Sequence, residues 1–323
     1  MQRILLPGTD LKVSPVCLGT VYFGTKLSEY EAARQLELFL EAGNFVDTAR
    51  IYADWLSPLP GLSERVLGRL LRRMGCRDSV VISTKGAHPR LSSMHLSRVS
   101  PPEIQKDLSD SLEALQTDHI DLYFLHRDDP SVPAGELIDC LEGARRDGRI
   151  RFYGVSNWTL PRIREAARYA AEHGCTGLIC NQLMWSLARV RREAISDSSL
   201  VLMDPSLYAY HSASGMAAMA FTSIANGYFT HLYRGDPLAP SVAAKYGTPE
   251  NRALLSRLVP LSEQTGRSLL ELSLLYFRAH PFPCVPIAAC SSPEQVRELA
   301  RASAIEPSDE ELCLLRALVQ ENG

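Results

Sequence analysis

Short apolar runs alternate with longer amphipathic segments along most of the chain. Each run is short enough for a buried strand, and each following segment repeats its apolar residues at helical spacing. Strict alternation of strand and helix predicts an α/β fold with a parallel sheet. The eight runs cover residues 16–20, 44–48, 79–85, 119–126, 150–157, 176–182, 215–221 and 283–288.

Eight strand–helix units close most naturally into a (β/α)8 TIM barrel, and a doubly wound open sheet is the alternative. No linker or shift of composition divides the chain, so residues 1–323 are expected to form a single domain. At the seventh unit, Leu207 and Tyr210 fall on one helical face that ends at Gly215. This places the strand at 216–221, ending on Phe221 rather than Tyr210.

Local sequence signals indicate where several of the predicted helices, strands and loops begin or end. Ser100, Pro101 and Glu103 match the cap, first-turn proline and third-residue acid of a capping box, which predicts a helix start there. Two short apolar runs around Gly8 predict an N-terminal β-hairpin that caps the barrel. Long loops are expected at the carboxyl face of the barrel, at 53–62, 88–100, 183–202 and 222–249.

Composition narrows the class of protein. Hydrophobic residues make up 46% and charged residues 22% of the chain, and the formal net charge is -3. These values are ordinary for a globular protein and give no reason to expect a nucleic-acid partner. No apolar stretch is long enough for a signal peptide or a membrane span. The eight cysteines form no C-x-x-C pair, which favours free thiols in a reducing, cytoplasmic compartment and gives no metal site.

Polar residues stand where the apolar runs end. Asp47, Lys85 and His126 end the second, third and fourth runs, while Tyr52 follows Asp47 in the next loop. Because catalytic groups of TIM barrels lie at the carboxyl ends of the strands, these side chains are expected to converge. Any one of these residues alone would more often be structural than catalytic. Because they occur together at the ends of successive strands, the catalytic interpretation is the stronger one.

The types of these residues indicate proton transfer to one oxygen. Tyr52 is a weak acid unless its pKa of about 10 is lowered, and the ammonium of Lys85 would do this by stabilising the phenolate. Asp47 on the adjacent strand would keep Lys85 charged. His126 can donate a hydrogen bond to the same oxygen or to the phenol. The sequence therefore predicts a general acid aimed at a substrate oxygen.

A site that protonates a substrate oxygen also needs a group that attacks the carbon bonded to that oxygen, and this group is expected to come from outside the chain. The sequence contains no metal-ligand cluster, no Gly-rich phosphate loop and no G-x-S-x-G nucleophile motif. An external nicotinamide cofactor fits this requirement. Ser156 and Asn157 at the fifth strand end and Gln182 at the sixth can hold its carboxamide, although Ser156 and Asn157 could also cap the next helix.

The segments "CLGT", "VDTARIY", "SERVLG", "VISTKG", "DLYFLH", "YGVSNW" and "CNQ" resemble the aldo-keto reductase family in order and spacing over nearly the whole chain. The resemblance implies that Asp47, Tyr52, Lys85 and His126 are the catalytic tetrad, with Tyr52 as the general acid. It also implies a set of cofactor contacts, with Phe221 stacked on the nicotinamide. These contacts are Gly19, Thr20, Asp47, Ser156, Asn157, Gln182, Phe221, Thr222, Ser223, Gly227, Ser291, Ser292 and Gln295.

Two features leave the cofactor open between NADP(H) and NAD(H). Members of the family that prefer NADPH usually carry a cation just after the eighth strand, where this chain has Ser291 and Ser292. Arg297 could replace that cation. Members of the family also often carry an asparagine that contacts adenine, near the helix after the eighth strand. This chain lacks it, since Glu298 is followed by Leu299.

The expected reaction is reduction of an aldehyde or ketone, or oxidation of a sugar or polyol alcohol. Tyr22, Trp55 and Trp158 are predicted to line the substrate pocket. Two alternatives remain: a Schiff-base aldolase that uses Lys85, which borohydride trapping would reveal, and a cofactor-binding regulatory subunit with little turnover. The partner is predicted to be a small molecule in each enzymatic case, with no nucleic acid and no membrane.

Overall fold

The computed structural model describes residues 3–57 and 59–320. Eight parallel strands close into a barrel in which the last strand pairs with the first of the eight. The TIM-barrel prediction is therefore confirmed. The strands of the described residues are β1 Ile4–Leu5, β2 Lys12–Val13, β3 Cys17–Gly19, β4 Phe45–Asp47, β5 Val81–Gly86, β6 Ile120–Leu125, β7 Ile150–Ser156, β8 Cys180–Met184, β9 Ala217–Phe221 and β10 Cys284–Ala288. The barrel strands are β3 to β10, and the two further strands, β1 and β2, precede them.

Helices surround the barrel, and each segment between successive barrel strands contains one or more of them. The helices in the described ranges are α1 Glu29–Leu40, α2 Leu62–Met74, α3 Pro101–Leu115, α4 Ala134–Arg146, α5 Leu160–His173, α6 Pro205–Ser214, α7 Tyr228–Arg234, α8 Pro240–Tyr246, α9 Pro249–Thr265, α10 Leu269–Leu275, α11 Pro293–Ala304 and α12 Asp309–Gln320. The loop predicted at 222–249 thus contains two short helices, α7 and α8. Among the residues described, no helix combines the length and apolar character needed to cross a membrane.

Strands β1 and β2 pair antiparallel, as the predicted N-terminal hairpin requires. Leu6, Leu11 and Val13 of this segment are buried together with interior barrel residues such as Phe124 and Met219. The hairpin therefore covers the barrel at the end opposite the strand carboxyl termini. Apolar side chains fill the barrel interior next to the hairpin. Polar residues of the interior are therefore confined to the end where the strand carboxyl termini lie.

The register places the polar strand ends side by side. Gly19 is level with Asp47 across β3 and β4, and Asp47 is level with Ser83 across β4 and β5. Ser156 is level with Gln182 across β7 and β8. Neighbouring strands therefore present these side chains at one height.

The helix start predicted at Ser100 is confirmed, because α3 begins at Pro101, but the predicted capping box and the predicted start of one strand were wrong. Ser100 caps α3 with its backbone, but its side chain makes no capping hydrogen bond, and the Glu103 carboxylate accepts hydrogen bonds from Arg98 instead. The sixth barrel strand begins at Cys180, later than expected, because Gly177 adopts a left-handed turn whose N–H donates to the Tyr153 hydroxyl.

Candidate active site

A cavity of about 480 Å³ lies at the carboxyl end of the barrel strands. Its volume falls in the range of small-molecule sites. It contains most of the residues predicted from the sequence, contributed by seven of the eight barrel strands or the segments that follow them. These are Gly19, Tyr22, Asp47, Tyr52, His126, Ser156, Asn157, Gln182, Phe221, Thr222, Gly227, Ser291 and Gln295.

Asp47 and Lys85 form a buried ion pair beneath the cavity. The Lys85 Nζ donates to Asp47 Oδ2 at 2.6 Å and to the Thr48 carbonyl oxygen at 2.6 Å. The other oxygen of Asp47 accepts from the Ser83 hydroxyl at 2.7 Å and from Gln182 Nε2 at 3.1 Å. Both charged side chains are almost fully shielded from solvent, so the pair is held by its hydrogen bonds in a dry environment.

Tyr52 lies directly above this pair. Lys85 Nζ is 3.4 Å from the phenolic oxygen and 4.9 Å from the ring centroid. Burial raises the pKa of Tyr52, and Lys85 opposes this effect without overcoming it. The expected lowering of the Tyr52 pKa is therefore wrong in direction, because desolvation of the phenolate is the larger effect. The phenol is held protonated, as a proton donor must be.

The ammonium of Lys85 is stabilised as a cation. Burial lowers the pKa of Lys85, but the attraction of Asp47 and Tyr52 outweighs it, so the net pKa lies above the ordinary value. A Schiff base requires a neutral amine. The electrostatics of this site therefore favour an ammonium that stabilises charge over an amine that attacks a carbonyl.

His126 completes the group on the far side of Tyr52. Its ring is edge-on to Tyr52 with centroids 6.1 Å apart, and edge-on to His88 with centroids 4.8 Å apart. Burial lowers the pKa of His126 well below its usual value, with smaller contributions from His88 and Lys85. The imidazole is therefore neutral and suited to hydrogen bonding rather than to supplying a positive charge.

The predicted carboxamide contacts line the same cavity, but they also bond within the protein. Asn157 has a left-handed backbone, and its Oδ1 accepts from the Val201 N–H at 3.1 Å. Its Nδ2 donates to the Ser156 hydroxyl at 3.0 Å. The Gln182 Nε2 donates a hydrogen bond to Asp47. The Oε1 of Gln182 is then the atom that can accept a hydrogen bond from a ligand.

The cavity lining also includes residues from the segment after β9 and from the start of α11. Phe221, Thr222 and Gly227 come from the first, and Ser291 and Gln295 come from the second. Gln295 accepts from the Ser291 N–H at 2.7 Å, which orders the rim. Backbone N–H groups at the start of a helix favour an anionic group such as a phosphate.

Three predicted cofactor residues lie outside the cavity lining. The Thr20 hydroxyl bonds to the Asp47 carbonyl oxygen, and the Ser223 hydroxyl bonds to the Ile287 carbonyl oxygen. The Ser292 hydroxyl caps α11 by accepting from the Gln295 N–H. The side chains of these residues support the walls of the cavity.

The three predicted substrate residues are placed differently. Tyr22 lines the cavity. Trp55 packs edge-on against Tyr52 but is 47% exposed and lies outside the lining. Trp158 is completely buried behind the wall, where its Nε1 donates to the Arg127 carbonyl oxygen and Arg162 lies over its ring. The structure therefore does not bring Trp158 to the cavity.

Three charged residues and one histidine of the lining were missed by sequence reasoning: Arg127, Arg234, Glu298 and His231. Arg127 directly follows His126, so its position after a strand could have drawn attention to it. His231 and Arg234 belong to α7, inside a segment expected to be a loop, and their direction could not be inferred. Arg297, the expected substitute cation, is outside the lining and pairs with Glu294 on the exposed face of α11.

Comparison with known proteins decides the family. A sequence model described as the aldo/keto reductase family matches residues 15–320. The chain belongs to the aldo/keto reductase family. It is accordingly an oxidoreductase of the aldo-keto reductase type, as predicted.

Similar proteins cover almost the whole chain. The chain is 28% identical to "Uncharacterized oxidoreductase YrpG" of Bacillus subtilis, over 100% of this chain and 97% of that protein. It is 28% identical to "Probable voltage-gated potassium channel subunit beta" of Oryza sativa, over 95% and 92%. It is 26% identical to "Norsolorinic acid reductase stcV" of Emericella nidulans, over 96% of this chain and 79% of that protein. These relatives include a named reductase and a named channel subunit.

Proposed function

We propose that this aldo/keto reductase reduces an aldehyde or ketone, or oxidises a sugar or polyol alcohol, with Tyr52 as the general acid or base. One observation supports the proposal above the others. The protonated phenol of Tyr52 lies 3.4 Å from a buried ammonium and opens into a cavity that it shares with His126. This arrangement is suited to giving a proton to one oxygen and stabilising the phenolate that results.

Each residue then has a distinct task. Tyr52 donates its proton to the carbonyl oxygen of the substrate. Lys85 stabilises the phenolate formed at that moment, and Asp47 keeps Lys85 charged and fixed. His126, neutral and buried, orients the carbonyl oxygen by hydrogen bonding.

The chemistry of the cavity walls suits a nicotinamide cofactor, NADP(H) or NAD(H). Gln182 and Ser156 offer polar atoms near Asp47, and Phe221 offers an aromatic face. The start of α11, with Ser291 and Gln295, suits a phosphate group. The nicotinamide, when bound, supplies or accepts the hydride at the substrate carbon.

A regulatory role is the second candidate. It is favoured by the similarity to proteins named as probable potassium channel beta subunits. Such a protein would bind the cofactor and a partner protein with little turnover. The ordered Tyr52–Lys85–Asp47 arrangement weighs against it, because a binding module has no need of a proton donor.

Turnover separates the two candidates. We expect steady oxidation of NADPH or NADH, followed by absorbance, when the purified protein is given a panel of aldehydes and ketones. Cofactor binding by fluorescence titration without turnover of any carbonyl or alcohol would favour the regulatory candidate. Absence of cofactor binding would remove both.

Replacing Arg234 with alanine should weaken NADPH binding by about tenfold and leave NADH binding nearly unchanged. Arg234, on α7, lines the same cavity as Ser291 and Gln295, and the other arginine in the described lining, Arg127, is already paired with Asp197. We therefore propose that it supplies the cation missing after β10. Fluorescence titration with both cofactors at equal ionic strength measures the effect.

Arg297→Ala is the matched control, since Arg297 is half exposed, pairs with Glu294 and lies outside the cavity lining. It should leave both affinities as they are. An equal loss of NADPH binding in the two variants would contradict the assignment to Arg234. Equal loss of NADPH and NADH binding in Arg234→Ala would place Arg234 at a phosphate shared by both cofactors.

A further inference from the structure

His88 lies just after β5, on the segment that follows Lys85, and its ring packs against the ring of His126. The two ring centroids are 4.8 Å apart and the ring planes are inclined by 63°. The ring of His126 is also edge-on to Tyr52, with centroids 6.1 Å apart and planes inclined by 76°. His126 therefore has two ring neighbours, Tyr52 and His88, contributed by the segments after two neighbouring strands.

The ring of His126 is held by these contacts rather than by hydrogen bonds. Its Nδ1 is buried and has no hydrogen-bond partner among the described residues. The backbone of His126 is fixed, because its N–H donates to the Gly86 carbonyl oxygen at 2.9 Å. A functional histidine usually has its ring oriented by a hydrogen bond to its second nitrogen. In the described part of this chain, ring packing has to do this instead.

The orientation of the His126 ring decides whether it can act on a substrate. Because Nδ1 is buried and His126 lines the catalytic cavity, Nε2 is the nitrogen that can reach a ligand there. To donate a hydrogen bond to a carbonyl oxygen, Nε2 has to carry the proton of the neutral ring. A turn of the ring would take this donor away from the oxygen.

His88 is itself anchored at both ends of the residue. Its Nδ1 is 2.7 Å from the Pro89 carbonyl oxygen, and because a carbonyl oxygen only accepts, Nδ1 is the donor. The carbonyl oxygen of His88 accepts from Arg98 Nη1 at 3.0 Å. Arg98 is bonded to Asp107 of α3, which also accepts from the Ala87 N–H at 2.8 Å. The ring of His88 is therefore a fixed surface for its neighbour.

The contact between His88 and His126 is one between two neutral rings. Burial lowers the pKa of His88, and the charge of Arg127 adds to this effect. His88 thus places no positive charge beside His126 at neutral pH. It is also absent from the described lining of the catalytic cavity, so its effect on a substrate has to pass through His126.

We propose that His88 is a positioning residue: its anchored ring holds His126 in the orientation in which Nε2 donates to the carbonyl oxygen of the substrate. The proposal rests on the proposed function, because it requires that His126 acts on a carbonyl group. Loss of the His88 ring should therefore affect the reaction only while His126 is present.

The test combines variants of His88 with His126→Ala in the full chain. His88→Ala should lower kcat by about tenfold, since misplacement of a positioned group by about 1 Å can cost up to about 100-fold. Its cofactor affinity, measured by fluorescence titration, should equal that of the wild type. His88→Phe keeps a flat ring of similar size and should retain kcat within about threefold. Added to His126→Ala, His88→Ala should lower kcat by less than about twofold, because the ring that it positions is gone.

His173→Ala is the matched control. The ring of His173 stacks on Tyr169 of the same outer helix, α5, with centroids 3.9 Å apart, so its loss should leave kcat unchanged. If His88→Ala melts at a lower temperature than the wild type, His88→Gln, which has similar volume but no ring, replaces it in both backgrounds.

Four results would overturn the proposal. His88→Ala could keep the wild-type kcat, or it could lower kcat by the same factor with and without His126, which would make its effect independent of His126. His88→Phe could be as impaired as His88→Ala, which would assign the role to a ring nitrogen. Weaker cofactor binding in His88→Ala would assign His88 to the cofactor site. Failure of the wild type to turn over any carbonyl compound with either cofactor would instead remove the proposed function.

Discussion

Replacing Tyr52 with phenylalanine should lower kcat by about 100- to 10,000-fold, the range that a positioned proton donor contributes. The variant loses only the hydroxyl that lies 3.4 Å from Lys85. Lys85 keeps its bonds to Asp47 and Thr48, so the walls that would hold the cofactor stay in place. Cofactor affinity should therefore remain close to that of the wild type, measured by fluorescence titration beside steady-state turnover.

Tyr169→Phe is the matched control for this change. Its hydroxyl donates to Asp139 on the outer helices, far from the cavity, so the same chemical change there should leave kcat unaltered. Substantial turnover by Tyr52→Phe would show that another group donates the proton. Loss of cofactor binding along with turnover would show that the phenol contributes to the cofactor site instead.

The fold could be predicted because strand and helix alternate so regularly. Parallel strands must point their carboxyl ends the same way, so the sequence predicts Asp47, Lys85 and His126 at one end of the barrel. The structure brings these side chains together around Tyr52. The order of the strands in the barrel follows from the order in the chain, which makes neighbours of successive strand ends.

Side-chain direction beyond a strand end could not be predicted. Ser156, Asn157 and Trp158 are consecutive, yet the first two line the cavity and Trp158 points into the helix layer. The left-handed backbone of Asn157 causes this change of direction, and asparagine gives only a weak signal for it. Arg234 was missed for a related reason, since its segment carries no pattern that indicates the face of α7.

The balance between burial and charge could not be predicted either. The sequence indicates that Lys85 is near Tyr52, and that proximity alone would lower the phenol pKa. The burial of Tyr52 involves the packing of Trp55 and His126 against its ring, and that packing is not indicated by the sequence. Burial proves to be the larger effect on Tyr52, whereas for Lys85 the attraction of Asp47 prevails.

Asp47→Asn should destabilise the protein by about 3–5 kcal/mol, as expected when one partner of a buried ion pair is removed. The asparagine has the same shape but leaves the ammonium of Lys85 without its counter-charge. Because Asp47 is the largest contribution that raises the pKa of Lys85, this pKa should fall and turnover should be lost. Urea unfolding followed by circular dichroism measures the change in stability.

The double variant Asp47→Asn/Lys85→Met separates stability from activity. It removes both buried charges, so it should recover most of the stability lost by Asp47→Asn, because an uncharged pair needs no compensation. Turnover should stay as low as in the single variant, since no cation remains to stabilise the phenolate of Tyr52. A single variant as stable as the wild type would mean that Lys85 is neutral, and a neutral Lys85 would return the Schiff-base mechanism to consideration.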